Sequence, residues 1–178
     1  KVRVEKFIEH ASKKWIVLKE PVRSLLDDML ADCPAQYIAD DGKRAQVAWK
    51  WCKTTLRDID SRRLHYVRAP LNHIVIDFDI YNEKGEKDRA LCLEEANKWP
   101  ETYVELSKGG GVHLHYIYTG DPLLLANCMP DNPHIEIKLC KGLGAIRRKL
   151  TECNDIPVAK ISSGLPLKGL KGGSKEKV

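Results

Sequence analysis

Three stretches of the chain alternate apolar with polar or ionisable residues at a period of two, over residues 73–80, 112–118 and 134–139. Because successive side chains of a strand point to opposite faces, this period predicts a β-strand in each stretch. One face of each strand is then apolar, and the other carries the ionisable residues. Two further strands are predicted, one at about 102–107, which forms a hairpin with the strand at 112–118, and one near 158–162.

Helical spacing of apolar residues is concentrated in the first third of the chain. The predicted helices cover residues 3–18 in part, 22–30, 43–59, 88–99 and a short segment near 122–128. Pro34 and Pro100 mark the ends of two of them, since a proline disfavours helix in the preceding residue. The predicted organisation is a mainly helical part over 1–60 and a sheet with packed helices over 70–165.

The first of the three strands ends in Asp77-Phe78-Asp79, which places Asp77 and Asp79 on one face with Phe78 packed behind them. Two adjacent carboxylates repel each other unless a cation lies between them, and hard divalent ions such as Mg²⁺ prefer oxygen ligands. The pair therefore predicts a metal platform. A polar strand end with two solvated acids is the alternative, because the motif alone is common.

The other two strands repeat this design. The second strand places His113 and His115 on one face, and the third does the same with His134, Glu136 and Lys138. An ordinary half-solvated sheet would carry more Thr, Ser and Lys at such positions. The repetition favours a site built from the ionisable faces of all three strands.

A glycine-rich turn, residues 107–111 with the sequence Ser-Lys-Gly-Gly-Gly, precedes the second strand. Three successive glycines let the backbone approach a ligand closely, and their N–H groups can face anionic oxygens. The turn is thus a candidate for contact with phosphate.

The composition is that of a globular protein with one core: 178 residues, of which 43% are apolar. No apolar stretch approaches the roughly 20 residues of a membrane span, and the N-terminus does not resemble a signal peptide. Six widely spread cysteines without a C-x-x-C pair favour reduced thiols in a cytoplasmic protein. A zinc site from Cys128, His134, Cys140 and Cys153 is a weaker alternative, because their spacing matches no standard site.

The net charge of +5 is concentrated late in the chain, where residues 141–178 carry nine Lys or Arg against three acids. A basic segment beside a carboxylate cluster suits a polyanion that also needs metal, such as nucleic acid or a nucleotide. A basic, soluble surface is the alternative. Residues 169–178 are expected to form a flexible linker or tail that leads to a further domain.

The order of these parts resembles the archaeo-eukaryotic primase superfamily, in particular the primase-polymerase domains of phages and mobile elements. That family has an apolar strand with D-x-D or D-x-E, a Ser/Gly-rich turn ending in His, and an apolar-flanked Asp or Glu. The matching segments here are 74–79, 107–113 and 135–137. The resemblance covers residues 70–165, and 161–166 is similar to the family's last strand. Lys108 and His115 depart from the family pattern.

The resemblance implies an α/β fold of the α+β kind, with an antiparallel catalytic sheet related to the RNA-recognition fold, packed helices and an N-terminal helical subdomain. The catalytic domain would cover residues 1–168. The resemblance further implies that Asp77, Asp79 and Glu136 bind two Mg²⁺ or Mn²⁺ ions, while His113 contacts the incoming triphosphate. Further candidates for the same phosphates are Ser107, Lys108, Gly109, Gly110 and Gly111.

The implied activity is template-dependent nucleotidyl transfer, as a DNA primase or DNA polymerase. The implied partners are nucleoside triphosphates, a single-stranded DNA template with its primer, and a fused or associated helicase, in a bacterial or phage-infected cell. The family pattern does not assign Lys138, Arg147, Arg148 or Lys149. By position, Lys138 could reach nucleotide phosphate, and the three basic residues could hold template or primer backbone. A solvated basic helix face is the alternative for those three.

Other functional classes stay open at this point. His113-Leu114-His115 is also the His-hydrophobe-His signature of rolling-circle initiator nucleases, which cut DNA with a Tyr on a later helix, but no Tyr follows Tyr118. A non-catalytic nucleic-acid-binding module leaves three acids and two His on apolar strands unexplained. Glycosyltransferases and phosphatases also use D-x-D, although such phosphatases usually continue with Thr or Gly-Thr, unlike the residues after Asp79.

Overall fold

Strands dominate residues 14–169, the part of the chain that the computed structural model describes. The strands are β1 (Ala35–Tyr37), β2 (His65–Val67), β3 (His73–Phe78), β4 (Tyr103–Leu106), β5 (Val112–Tyr118), β6 (Cys128–Met129), β7 (Asn132–Leu139), β8 (Ile146–Arg148) and β9 (Ala159–Ile161). The helices are α1 (Leu25–Met29) and α2 (Arg89–Ala96), with 3₁₀ turns at Trp49–Trp51, Leu56–Asp58 and Pro122–Leu124. The fold is therefore mixed α/β with mostly antiparallel sheets, which confirms the predicted class at this coarse level.

The main sheet has the order β4-β5-β3-β7-β6, and all of these neighbours are antiparallel. Strand β9 runs parallel to the end of β5, on the same edge of β5 as β4. The three strands predicted from the period of two are present as β3, β5 and β7. The predicted hairpin is present as β4 and β5, and the last predicted strand as β9.

A second layer consists of the three-stranded sheet β1-β2-β8 together with α1. The main sheet is buried between this layer and α2. On one face, Phe78 packs in a core that includes Cys92 and Ala96 of α2. On the other face, Val75 belongs to a core that includes Leu26 of α1. Since alternate residues of β3 enter different cores, its six residues are all buried.

Helix α1 begins at a capping box. The Ser24 hydroxyl accepts the backbone N–H of Asp27, and the Asp27 carboxylate accepts the backbone N–H of Ser24. Asp27 is fully buried, so its carboxylate also needs hydrogen-bond partners from other residues inside the protein. The helix predicted over 22–30 is thus confirmed in a shortened form.

Residues 43–59 form two 3₁₀ turns where the sequence pattern predicts a helix. Val47 and Trp51, which belong to the predicted apolar face, are 45% and 65% exposed. The segment follows β1 instead: the Ala35 N–H donates to the Thr54 carbonyl, and the Thr54 hydroxyl donates to the Ala35 carbonyl. This pairing holds the chain extended, so the predicted helix is wrong here.

The predicted N-terminal helical subdomain is not confirmed, since residues 14–60 contain one five-residue α-helix and two 3₁₀ turns. The short helix predicted near 122–128 is also only a 3₁₀ turn, whereas the helix predicted over 88–99 is present as α2. Residues 3–13 of the first predicted helix and 170–178 of the predicted tail lie outside the described residues. Within the described chain, none of the helices has the length and apolarity that crossing a membrane requires.

Candidate metal and phosphate site

Four ionisable residues form a row across the main sheet. Glu105 of β4 lies opposite His113 of β5, which lies opposite Asp77 of β3. Asp77 in turn lies opposite Glu136 of β7. Residues directly opposite each other in antiparallel strands project from the same face. The register therefore brings together four side chains that are far apart in the sequence.

Asp77, Asp79 and Glu136, here called the acid cluster, could hold a metal ion, because one carboxylate oxygen from each lies within 4.8 Å of the others. Two lysines contact these carboxylates. Lys138 Nζ is 2.8 Å from Asp77 Oδ2 and 3.7 Å from Glu136 Oε1. Lys87 Nζ is 2.7 Å from Asp79 Oδ1. The structure thus brings the three predicted acids together and adds two cations.

The glycine-rich turn packs directly against this cluster. The Ser107 hydroxyl accepts the N–H of Gly111, and Gly110 has a φ of +92°, which glycine adopts readily. A Cβ atom on Gly111 would lie 2.6 Å from Asp79 Oδ1 and from the Phe78 carbonyl, so a larger residue does not fit there. The serine at position 107 is therefore explained by its role in closing the turn, and the glycine at position 111 by the close packing around it.

A cavity of about 240 Å³, here called the site cavity, is bordered by two of the three acids and by the first part of the glycine-rich turn. Glu136, Gly110 and Gly111 are not among its lining residues. Eight residues predicted for the site line it: Asp77, Asp79, Ser107, Lys108, Gly109, His113, Lys138 and Arg147. Lys87 lines it as well. The cavity therefore combines carboxylate oxygens, which suit a hard metal ion, with four cationic side chains, which suit phosphate.

Asp77 is the most enclosed member of the acid cluster, with 3% of its surface exposed. Burial alone would raise the pKa of its carboxyl group, but His113 and then Lys138 outweigh burial and lower the pKa well below its usual range. His113 Nε2 lies 3.3 Å from Asp77 Oδ1. That oxygen has no hydrogen-bond partner among the described residues, so it keeps its lone pairs for a cation.

Arg148 is buried, contrary to its predicted contact with nucleic acid. Its Nε and Nη2 donate to the two carboxylate oxygens of Glu105 at 2.7 and 2.9 Å, and its Nη1 donates to Asp27 Oδ1 at 3.0 Å. Because two carboxylates inside the protein occupy this guanidinium, the prediction that it holds nucleic-acid backbone is wrong. The strand alternation leaves its neighbours Arg147 and Lys149 exposed.

Two residues of the site were not identifiable from the motifs. Glu105 lies two residues after Tyr103 on the predicted hairpin, and the pairing of that hairpin is the signal that could have placed it opposite His113. Lys87 lies in the polar segment after Asp79, and only the folded turn brings the two together. No sequence signal identifies that contact.

The four residues considered as zinc ligands do not form a metal-binding group within the described chain. Cys140 and Cys153 are buried free thiols in the core beneath the second layer. Cys128 lies on β6 and His134 on β7, where His134 is exposed. Cys140 and Cys153 therefore contribute to packing.

Two buried histidines near Arg148 and the row make the stability of the fold depend on pH. Burial, and next the charge of Arg148, lowers the pKa of His65 to about 4, and burial lowers that of His73 to about 3. An unfolded histidine has a pKa of about 6.5. Below that pH the unfolded chain binds protons that the folded chain does not. The contribution of these two imidazoles to the free energy of unfolding is therefore fully present above pH 6.5 and is lost as the pH falls.

We therefore expect the free energy of unfolding to fall between pH 7 and pH 5 by on the order of 1–2 kcal/mol for each of these imidazoles. Urea unfolding at both pH values measures it. His65→Gln should flatten the pH dependence, whereas His134→Gln, on an exposed histidine, should leave it unchanged. If the free energy of unfolding depends equally on pH in wild type and in His65→Gln, His65 is not a source of the pH dependence.

Comparison with protein-family models and with curated proteins gives no match to this sequence. The functional argument for this chain therefore depends on the chemistry and geometry of the site.

Proposed function

We propose that the protein is a metal-dependent nucleotidyltransferase of the primase-polymerase type, which joins nucleotides on a single-stranded DNA template. The observation that carries this proposal is the acid cluster of Asp77, Asp79 and Glu136, two members of which, Asp77 and Asp79, line a cavity that also presents four cations. Phosphoryl-type transfer requires mainly positioning and charge neutralisation from a protein. A cavity with metal ligands and phosphate-binding cations side by side suits that requirement.

The strand order supports the same proposal. Along the chain β3, α2, β4, β5 and β7 follow one another, and in the sheet the strands have the order β4-β5-β3-β7. Numbered along the chain, the strands have the order 2-3-1-4. We propose that this is a variant of the β-α-β-β-α-β arrangement of the RNA-recognition fold, with a 3₁₀ turn in place of the second helix. The acids of the cluster lie on its two strands β3 and β7 and directly after β3.

The donor set of the acid cluster fits Mg²⁺ or Mn²⁺, because these ions prefer carboxylate oxygens and Asp77 Oδ1 has no other hydrogen-bond partner in the described chain. When bound, two such ions neutralise charge on the attacking 3′-oxygen and on the leaving pyrophosphate. Lys87 and Lys138 contact the same carboxylates. These lysines are therefore placed to move from carboxylate to phosphate oxygens when a nucleotide enters.

The triphosphate is proposed to bind between the glycine turn and His113. Lys108 and Gly109 line the site cavity together with His113, which projects beside Asp77. An imidazole N–H and an ammonium group can both donate to phosphate oxygens. In this arrangement His113 holds the triphosphate at the metal ligands, while Lys108 neutralises the phosphates farther from the acids.

The template strand is proposed to follow a surface groove that adjoins the site cavity. Lys108 and Arg147 line both, and Lys43 and Tyr66 line the groove only. Asp41, the acid of this groove, is already paired with Arg44. The groove therefore keeps a net positive charge and one aromatic ring, which suits the backbone and bases of a single strand.

Neutralising this groove should weaken template binding and reduce its dependence on salt. For Arg147→Gln with Lys43→Gln, we expect the slope of log K against log salt to decrease by about 0.7 for each lost phosphate contact on a single strand. Fluorescence anisotropy with a labelled oligonucleotide at several salt concentrations measures this slope. Lys98→Gln is the matched control, because Lys98 lies two residues after α2 and is paired with Glu95.

An unchanged salt slope in the double variant, or an equal decrease in Lys98→Gln, would assign the template to a different surface.

The nuclease alternative is less well supported by the positions of the two histidines. That mechanism needs both His113 and His115 at a metal that a DNA phosphate can reach, but His115 has no exposed surface. A chain that only binds nucleic acid does not require three converging carboxylates. The nucleotidyltransferase proposal uses both the acids and the cations.

The experiment that separates these classes combines the purified chain with primed single-stranded DNA, labelled nucleotides and Mg²⁺ or Mn²⁺. Nucleotide incorporation supports the proposal. Strand cleavage without incorporation would indicate the nuclease, and retention of DNA with neither reaction would indicate a binding module.

A further inference from the structure

A second group of metal-ligand side chains lies beside the acid cluster on the same face of the main sheet, on the β4–β5 hairpin. Ligand atoms of Glu105, His113 and His115 lie within 4.8 Å of one another. All three residues are buried, and His115 is completely so. The hairpin register sets this up, because Glu105 lies opposite His113 and His115 follows two residues later on the same face.

Two imidazole nitrogens in this group have no hydrogen-bond partner within residues 14–169. They are Nε2 of His115 and Nδ1 of His113, and both are buried. His115 Nε2 lies 3.7 Å from Glu105 Oε2, which is too long for a hydrogen bond. A buried polar atom without a partner costs free energy, so a ligand that satisfies both nitrogens would stabilise the fold.

Of the two remaining ring nitrogens, His115 Nδ1 lies 2.9 Å from His73 Nε2, within hydrogen-bond distance. His113 Nε2 faces Asp77 Oδ1 at 3.3 Å without a hydrogen bond, so it stays available to the site cavity. In metal sites, ligating histidines are oriented by a partner on the ring nitrogen that does not bind the ion. His115 is therefore oriented through its Nδ1 as a metal-ligating histidine is.

Glu105 retains capacity for one more contact. An ionised carboxylate accepts at about four lone-pair positions. Arg148 uses two of them and the Tyr103 hydroxyl uses one. Arg148 is also shared with Asp27, so the two acids and one arginine leave a net negative charge for a cation.

We propose that Glu105, His113 and His115 form a second metal site that binds a first-row transition ion of the Zn²⁺ class. Two imidazoles and one carboxylate are a ligand set of zinc sites, and they suit a softer ion than the all-carboxylate acid cluster does. The ion ties β4 to β5 directly beneath the glycine turn. It also fixes the ring of His113, which borders the site cavity.

The test begins with metal-free wild-type chain in excess Mg²⁺, which occupies the acid cluster, followed by titration with Co²⁺ as a coloured substitute for Zn²⁺. We expect one equivalent of Co²⁺ to bind with a visible absorption band, to be displaced by Zn²⁺ and to raise Tm. Wild-type chain that binds no Co²⁺ under these conditions would overturn the proposal.

Variants locate the ion. His115→Gln should weaken Co²⁺ binding by about a hundredfold or more, since loss of even an outer partner of a ligand costs up to about that much. Asp79→Asn, in the acid cluster, and His134→Gln, on an exposed histidine, should bind Co²⁺ as wild type does. Unchanged affinity in His115→Gln, or loss of the band in Asp79→Asn, would contradict the proposal.

Because His115 is buried, its variant can fail to fold, and a measurement on the wild-type chain covers that case. Anomalous diffraction at the zinc edge from Zn²⁺-soaked crystals should show an ion between Glu105, His113 and His115. An ion only at the acid cluster would overturn the second site.

Discussion

Replacing Arg148 by methionine is expected to lower the free energy of unfolding by about 3–5 kcal/mol. The guanidinium is fully buried and bonds the carboxylates of Glu105 and Asp27. Without it, two buried carboxylates face each other with no cation, and this uncompensated charge is the source of the large effect. Urea unfolding of wild type and variant at pH 7 measures the change.

Arg147→Met is the matched control, because Arg147 is the exposed neighbour on the same strand. Its effect on stability is expected to stay within about 0.5 kcal/mol. Combining Arg148→Met with Glu105→Gln and Asp27→Asn should recover part of the loss, since no buried charge then lacks a partner. Equal effects of Arg148→Met and Arg147→Met would contradict the role of the buried pair.

Asp77→Asn, Asp79→Asn and Glu136→Gln are each expected to reduce nucleotide incorporation by about a thousandfold or more, which corresponds to about 4 kcal/mol of transition-state stabilisation. Each amide retains the size of the side chain and removes one charged metal ligand. Single-turnover incorporation with saturating nucleotide and Mn²⁺ measures the rate, and circular dichroism verifies the fold.

Asp131→Asn, on an exposed turn, is the control for these variants and should retain the wild-type rate. A member of the acid cluster whose amide variant retains that rate would be removed from the proposed metal site.

The main sheet could be predicted because its strands carry a strong local signal. β3, β5 and β7 alternate apolar and ionisable residues, and burial of the apolar face fixes which residues project together. The same alternation placed Asp77 beside Asp79 and His113 beside His115. The structure adds the pairing between strands, which aligned Asp77 with His113 and Glu136.

Contacts between distant segments could not be predicted in this way. Arg148 looks like part of a basic surface cluster in the sequence, yet strand alternation turns it inward and its neighbours outward. Its partners Asp27 and Glu105 lie 121 and 43 residues away. The predicted helix over 43–59 was wrong for a related reason, since pairing with β1 holds that segment extended. Tertiary contacts outweighed local preference in both cases.

The second layer connects stability to the site. Through Arg148, strand β8 and helix α1 are tied to Glu105 on β4, and Glu105 lies opposite His113 at the site cavity. The second layer therefore also helps to position the row of ionisable residues, through the bond of Arg148 to Glu105.

The central claim is tested most directly by nucleotide incorporation on homopolymer templates, with each of the four nucleotides offered separately in Mg²⁺ or Mn²⁺. The account predicts that the wild-type chain incorporates only the nucleotide complementary to the template and that a chelator abolishes the reaction. Folded wild-type chain that incorporates no nucleotide with either metal, or that incorporates nucleotides regardless of the template base, would contradict the account.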